Sequence, residues 1–218
     1  MSSFSGSPQT LKGGLVLLDP GTGTVQRTIV LQYNPETVTR SLAPQAATGD
    51  GERSEALRLK GPPVETIKLE AAIDATDHLE FPAQHAPAVQ FGIQPQLAAL
   101  ETILYPASGT LQLNHTLAAA GTLEITPAVA PLCLFVWGRQ RVVPVRLTEF
   151  SVTEEAFDPA LNPILAKVSL TLRVLTINDL DFNSKGGSLY MIYHQARERL
   201  AQAHGSGRLH ALGLGGIP

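Results

Sequence analysis

Cysteine, tryptophan and charge are all scarce in this chain of 218 residues, and each scarcity removes a class of function. The single cysteine, Cys133, has no partner for an intramolecular disulfide. It sits inside the apolar run "PLCLFVWG" at 131–138, so it reads as a small buried hydrophobe. Charged residues make up 16% of the chain, below the roughly 25% usual for soluble domains, while apolar residues reach 44%. The formal charge of -3 leaves no broad basic field, which argues against a nucleic-acid backbone or an anionic membrane as the main partner. No apolar stretch approaches the ~18 residues of a membrane span. The opening "MSSFSGSPQTLKGG" lacks the basic segment and apolar stretch of a signal peptide, so synthesis and folding in the cytosol are expected. The sequon Asn114-His115-Thr116 then never meets the glycosylation machinery.

Recognised catalytic patterns are missing as well. Neither a P-loop nor a dinucleotide fingerprint occurs, and Gly21-Thr22-Gly23 joins two strands rather than opening a helix. The histidines, His78, His85, His115, His194, His204 and His210, include no i, i+4 pair with a glutamate between, and no cysteine pair accompanies them, so no metal is expected. His194 reads as a flank or interface residue. The carboxylates Asp74 with Asp77, and Glu154 and Glu155 with Asp158, read as solvated strand ends rather than an acid and base held in a cleft. Gly205-Ser206-Gly207 lacks the spacing of a nucleophile elbow. No enzyme activity and no cofactor are expected, and the few aromatics offer no sugar-stacking platform.

What the chain does have is strand alternation. "GGLVLLDPGTGTVQRTIVLQYNP" holds two apolar segments, Leu15 to Leu18 and Val25 to Tyr33, around a turn-rich centre, and predicts a hairpin ending at Asn34-Pro35. Residues 40–60 are polar, without clear period, and predict a long mobile loop. Ile67, Leu69, Ala71 and Ile73 alternate with polar or small neighbours, a strand with one buried face. Pro95 followed by Leu97, Leu100, Ile103 and Leu104, with Pro106 beyond, predicts a helix of about three turns. Residues 107–130 read as irregular apart from a short strand expected around Leu123 to Ile125.

The run at 131–138 is short for a helix and predicts a strand covered on both faces, with Trp137 as a core or sheet-end anchor beside Gly138. Val143, Val145 and Leu147 then alternate before the phase shifts to Phe150 and Val152, which predicts a bulge near Thr148 or Glu149. Pro144 implies an edge position or a break in the ladder. Ala166, Val168, Leu170, Leu172 and Val174 line one face of a further strand, and the three segments predict an antiparallel meander. Ser188 is the expected cap of an amphipathic helix that carries Leu189, Ile192, Tyr193, Ala196, Leu200 and Ala203 and stops at Gly205. The fold class is therefore mainly β (α+β): an antiparallel barrel or rolled sandwich with one internal helix and one C-terminal amphipathic helix.

The order of "LQYNPETVTRS" at 31–41, "LKGPPVETIKLEAAIDATD" at 59–77, "LAALETIL" at 97–104, "PLCLFVWGRQ" at 131–140 and "LTEFSVTEEAFDPALNPILAKVSLTL" at 147–172 resembles the contractile injection system tube-protein family, the adaptor group of phage-tail-like particles. The resemblance covers about residues 13–178. Where the family commonly has a glycine, a proline and an arginine before the last strand, this chain has Asn162-Pro163 and then Leu165. Many relatives carry a C-terminal LysM module, and its Gly-Asp-Thr-Leu stretch is absent here, so a peptidoglycan-binding role does not transfer.

The resemblance implies a tail-tube type barrel over 13–178, preceded by a flexible terminus at 1–12 and followed by a helical extension at 179–218. It also implies a structural role: a homo-oligomeric, hexameric ring that joins inner tube proteins to the spike and baseplate components, assembled in the bacterial cytoplasm and carried by a particle that stays there or is released. An adaptor or terminator at the upper, cap end of the tube is the alternative within that family, and a glycan or cell-wall binding module the alternative from another class. Nucleic acid and membrane insertion are not expected. The polar loop and the tail after Leu180 are the candidate contact surfaces, with Arg40, Arg53, Leu189, Ile192, Tyr193 and Leu200 as candidate interface residues.

Overall fold

Alternating burial along seven strands organises the computed structural model, which describes residues 10–46, 58–121, 130–204, 207 and 209–217. The strands are β1 (Gly14–Leu18), β2 (Val25–Val30), β3 (Val38–Ala43), β4 (Val64–Asp74), β5 (Leu132–Val136), β6 (Val142–Phe157) and β7 (Pro163–Val174). They form one antiparallel sheet in the order β2-β1-β5-β6-β7-β4-β3. The β5-β6-β7 meander is present, and the β1-β2 hairpin adds to it through β1 and β5. No ladder among the described residues joins the edge strands β2 and β3.

The core is the inner face of this curled sheet. Ile67, Ala166, Val168, Leu170, Leu172, Val174, Val143 and Val145 are each at most 1% exposed, so the period-two residues of β4, β6 and β7 meet there. Burying such side chains stabilises the fold by about 1.5–3 kcal/mol each. β5 is buried on both faces: Cys133 and Phe135 join the main core, while Leu132 and Leu134 pack with Leu18 in a second cluster. Burial pushes the Cys133 thiol up to about 12, which keeps it protonated and inert.

The bulge lies where the phase shift put it, between Leu147 and Glu149. Pro144 is not on an edge strand, since β6 lies between β5 and β7. Its carbonyl accepts from the Leu175 amide, so its nitrogen faces the same side, and the β6-β7 ladder begins only at Val145–Val174. The proline thus occupies the start of that ladder, where a missing donor costs least. Trp137 stacks on Phe135 with ring centroids 5.9 Å apart, and its amide donates to the Arg141 carbonyl at 2.8 Å. That turn is closed by Gly138 at φ +75°.

Several sequence expectations need correction. The polar segment does not begin as a loop at Arg40: Val38–Ala43 is a strand paired with β4, and an isolated bridge joins Ala46 to Leu59. Among the described residues four helices, not one, lie between β4 and β5: α1 (Thr76–Leu79), α2 (Ala86–Phe91), α3 (Gln94–Glu101) and α4 (Ser108–Ala119). The predicted three-turn helix is the shorter α3, with Pro95 in its first turn. α4 went unseen because it buries no residue and so has no apolar stripe to betray it. The strand expected at Leu123 to Ile125 lies outside the described residues.

The C-terminal helix α5 (Lys185–Ala203) starts one turn earlier than expected, with Ser184 rather than Ser188 as its cap. The Ser184 hydroxyl accepts from the Gly187 amide at 3.1 Å. Gly186 and Gly187 let the first turn press against Leu180, Leu132 and the carbonyl of Asp181; a Cβ on Gly187 would lie 2.3 Å from that carbonyl oxygen. The expected stop at Gly205 lies outside the described residues. A short 3-10 helix follows at Leu209–Leu212. No helix among the described residues is long and apolar enough to cross a membrane.

Candidate functional site

β4 places Glu65 in phase with Ile67, Leu69, Ala71 and Ile73, so a carboxylate points toward the core side of the sheet. Glu65 is only 2% exposed, a position that demands partners. They come from three elements. From β3, the Arg40 Nε donates to Glu65 Oε1 at 2.8 Å, with Nη2 2.7 Å from the same oxygen. From α5, the Arg197 Nη2 donates to Oε2 at 2.6 Å and the Tyr193 hydroxyl to Oε1 at 3.2 Å. The Arg197 guanidinium also lies over the Tyr193 ring, 4.6 Å from its centroid.

Burial alone would raise the Glu65 carboxyl, but the hydrogen bonds and charges of Arg197 and Arg40 outweigh it and hold it below its ordinary value. Burial works against the charge of Arg197 too, and the bonds to Glu65 and Tyr193 reverse that, raising it. The network ties edge strand β3, strand β4 and helix α5 into one unit.

A hollow of about 180 Å³ opens beside this network, lined by Arg40, Tyr193 and Arg197 together with Trp137, Gln140, Arg141 and Leu200. The β5-β6 turn supplies the last polar members. Among the described residues the Arg141 side chain has no hydrogen-bond or ion-pair partner.

The hollow gathers three of the residues expected at an interface, Arg40, Tyr193 and Leu200. Arg40 and Tyr193 are engaged inside their own chain, while Leu200 is 56% exposed. Ile192 is exposed on the outer side of α5. Leu189 is half-buried against Leu18, Leu132 and Leu134. Arg53 lies outside the described residues. His194 stacks on Tyr190 and lies 3.4 Å from Glu198, on the flank of α5. Sequence reading missed Glu65, Arg197 and Arg141. The signal for Glu65 was available, since it extends the apolar alternation of its strand by one step; Arg141 showed none.

A second concavity, of about 430 Å³, lies between β2 and the outer half of β4 under α3, lined by Ile29, Leu31, Ala71, Ile73 and Leu100 among others. Across it the Gln32 side chain accepts from the Asp74 amide at 2.9 Å and donates to the Asp74 carbonyl at 2.7 Å. One side-chain amide thus stands in for a ladder pair where the two strands approach.

Neither concavity brings together an acid, a base and a nucleophile, and no group of three metal-binding side chains occurs among the described residues. The sequence matches no curated protein. Among solved structures, the tail of an empty GTA particle with C6 symmetry is similar over 75% of this chain and 90% of that chain, at 11% identity and a TM-score of 0.30. The model of the contractile injection system tube protein family matches residues 18–181, from the end of β1 to the approach of α5, and the chain belongs to that family.

Proposed function

We propose that this chain is a ring-forming structural subunit of a contractile injection particle, placed where the inner tube meets the spike and baseplate. The family match over residues 18–181 carries this reading. Support comes from the surface: β2 is an edge strand exposed along nearly its whole length, and Val25, Val30, Ile192 and Leu200 are all more than half exposed. An uncovered strand edge and apolar side chains on a helix are what neighbouring subunits cover in a ring. In this reading the curled sheet is a tube-type barrel, its β2-β4 gap spanned by Gln32 and Asp74, and its partners are tube, spike and baseplate proteins.

The test is purification of a tagged copy from its native host, electron microscopy of the eluate and mass spectrometry of what co-purifies. Rod-shaped particles with sheath, tube and spike proteins, and a tag label at the spike end, are expected. A label at the opposite end transfers the role to the cap end of the tube. A lone soluble chain from cells that make such particles overturns the assembly role.

A further inference from the structure

We propose that the arginine-lined hollow is a receptor for a carboxylate, and that the carboxylate is Glu154, at the acidic far end of β6 beside the β6-β7 turn, of a second copy of this chain. The proposal rests on the ring reading and names the chemistry by which one subunit would hold the next.

The hollow has donors to spare. Three guanidinium groups, of Arg40, Arg141 and Arg197, line the hollow, and two of them, Arg40 and Arg197, pair with the carboxylate of Glu65. Glu65 is fully engaged: Oε1 takes Arg40 and Tyr193, and Oε2 takes Arg197. Each guanidinium carries five N–H donors in a planar fork. Arg197 is held in place by its stacking on Tyr193 and its bond to Glu65, so its remaining donors are already oriented. Arg141 brings a set that no side chain or carbonyl among the described residues uses. A concave site with fixed, partly desolvated guanidinium groups and an excess of positive charge favours a planar anion that accepts two parallel hydrogen bonds, which a carboxylate does.

The matching group lies at the other end of the same strand. Arg141 immediately precedes β6, and Asp158 immediately follows it. At ~3.3 Å per residue, sixteen residues of strand separate the two by a contour of roughly 50 Å. The far end is acidic: Glu154 is exposed and has no partner among the described residues, Glu155 is paired with Lys167, and Asp158 lies in the turn. Asp158 also stiffens that turn, accepting from the amides of Ala160 and Asn162 and from the Asn162 side chain. A pre-ordered turn loses less entropy on docking. Because the basic and acidic ends are different patches of one molecule, copies would join head to tail. That is the heterologous contact from which rings are built, not a two-fold one.

The test uses the full chain and sedimentation across a concentration series at two salt levels. Arg141 is the residue to reverse, because Arg40 and Arg197 also hold Glu65. Arg141→Glu and Glu154→Arg, each alone, are expected to weaken self-association by about tenfold or more, and raised salt to weaken the wild type as well. The double variant R141E/E154R restores the pairing with its charges exchanged and is expected to return to within about threefold of wild type. A merely structural role for either side chain would not be rescued in this way. If the wild type associates and Arg141→Glu does so equally well, the receptor is overturned while the ring reading stands. Weakening by Arg141→Glu but not by Glu154→Arg, or a double variant no better than either single, overturns Glu154 as the source. A wild-type chain that stays monomeric throughout overturns the ring reading, and self-docking with it.

Discussion

Glu65 carries a charge where the alternation of its strand asks for a hydrocarbon, and that conflict is resolved by residues far away in sequence. Arg40 is 25 positions off and Arg197 is 132. Removing one partner of a buried ion pair leaves the others uncompensated, and here both arginines are about a third exposed and recover some hydration. Glu65→Gln keeps the volume and one acceptor, so a loss of about 2 kcal/mol is expected from chemical denaturation at neutral pH. The folded carboxyl titrates below its ordinary 4.5, so the wild type has this contribution in full above that pH and loses it as pH falls through the folded value. The gap between wild type and E65Q therefore narrows in acid; a gap constant with pH would show that Glu65 is not ionised in the folded state. Sequence reading found the apolar members of β4 because burial leaves a period. It missed the charged member because its partners arrive only through tertiary contact.

Among the elements, β4, β7 and the bulge in β6 were legible from side-chain alternation, and the β1-β2 hairpin from two apolar segments around a turn-rich centre. Those that bury little were not. α4 has no buried residue, and the edge strand β3 shows the mixed pattern of a segment covered on one side at most. α5 was legible as a helix but set a turn late, and its buried stripe runs through Gly186, Tyr190, Tyr193 and Ala196 rather than through Ile192 and Leu200. Two glycines followed by a serine look like a start signal, yet here they are the first turn, chosen for close approach. The position of the cap is open to direct check. Ser184→Ala is expected to cost about 1 kcal/mol, and Ser188→Ala less than about 0.5 kcal/mol, in denaturant midpoint at unchanged slope. Equal losses for the two variants would place the cap elsewhere.

At the scale of the whole molecule, the question is whether α5 belongs to the sheet or hangs from it. A tail from about residue 179 onward is the natural division in the sequence, because the last clear strand ends just before it. In the structure Tyr190 and Tyr193 are 5% and 6% exposed and belong to the main core cluster, and Gly186 packs on Leu132 of β5. Truncating a large buried aromatic costs about 3–5 kcal/mol, and two of them approach the whole stability of a domain, about 5–15 kcal/mol. A chain ending at Leu180 is therefore expected to lose its near-ultraviolet circular dichroism and its cooperative melt. A chain ending at His204 keeps the core contacts of α5, and its melting temperature is expected within about 2 °C of the full chain, since a change near zero in stability moves it little. A cooperative melt of the shorter fragment at the full chain's temperature would make α5 an appendage after all. The distinction governs how the proposed assembly is to be probed: a cut at Leu180 is expected to abolish it by unfolding the subunit, whereas a cut at His204 removes only what lies beyond α5 and leaves Arg197, Leu200 and the hollow in place. Loss of particle incorporation in the longer fragment then assigns a contact to residues 205–218, and normal incorporation leaves the proposed contacts with the sheet, α5 and the arginine-lined hollow.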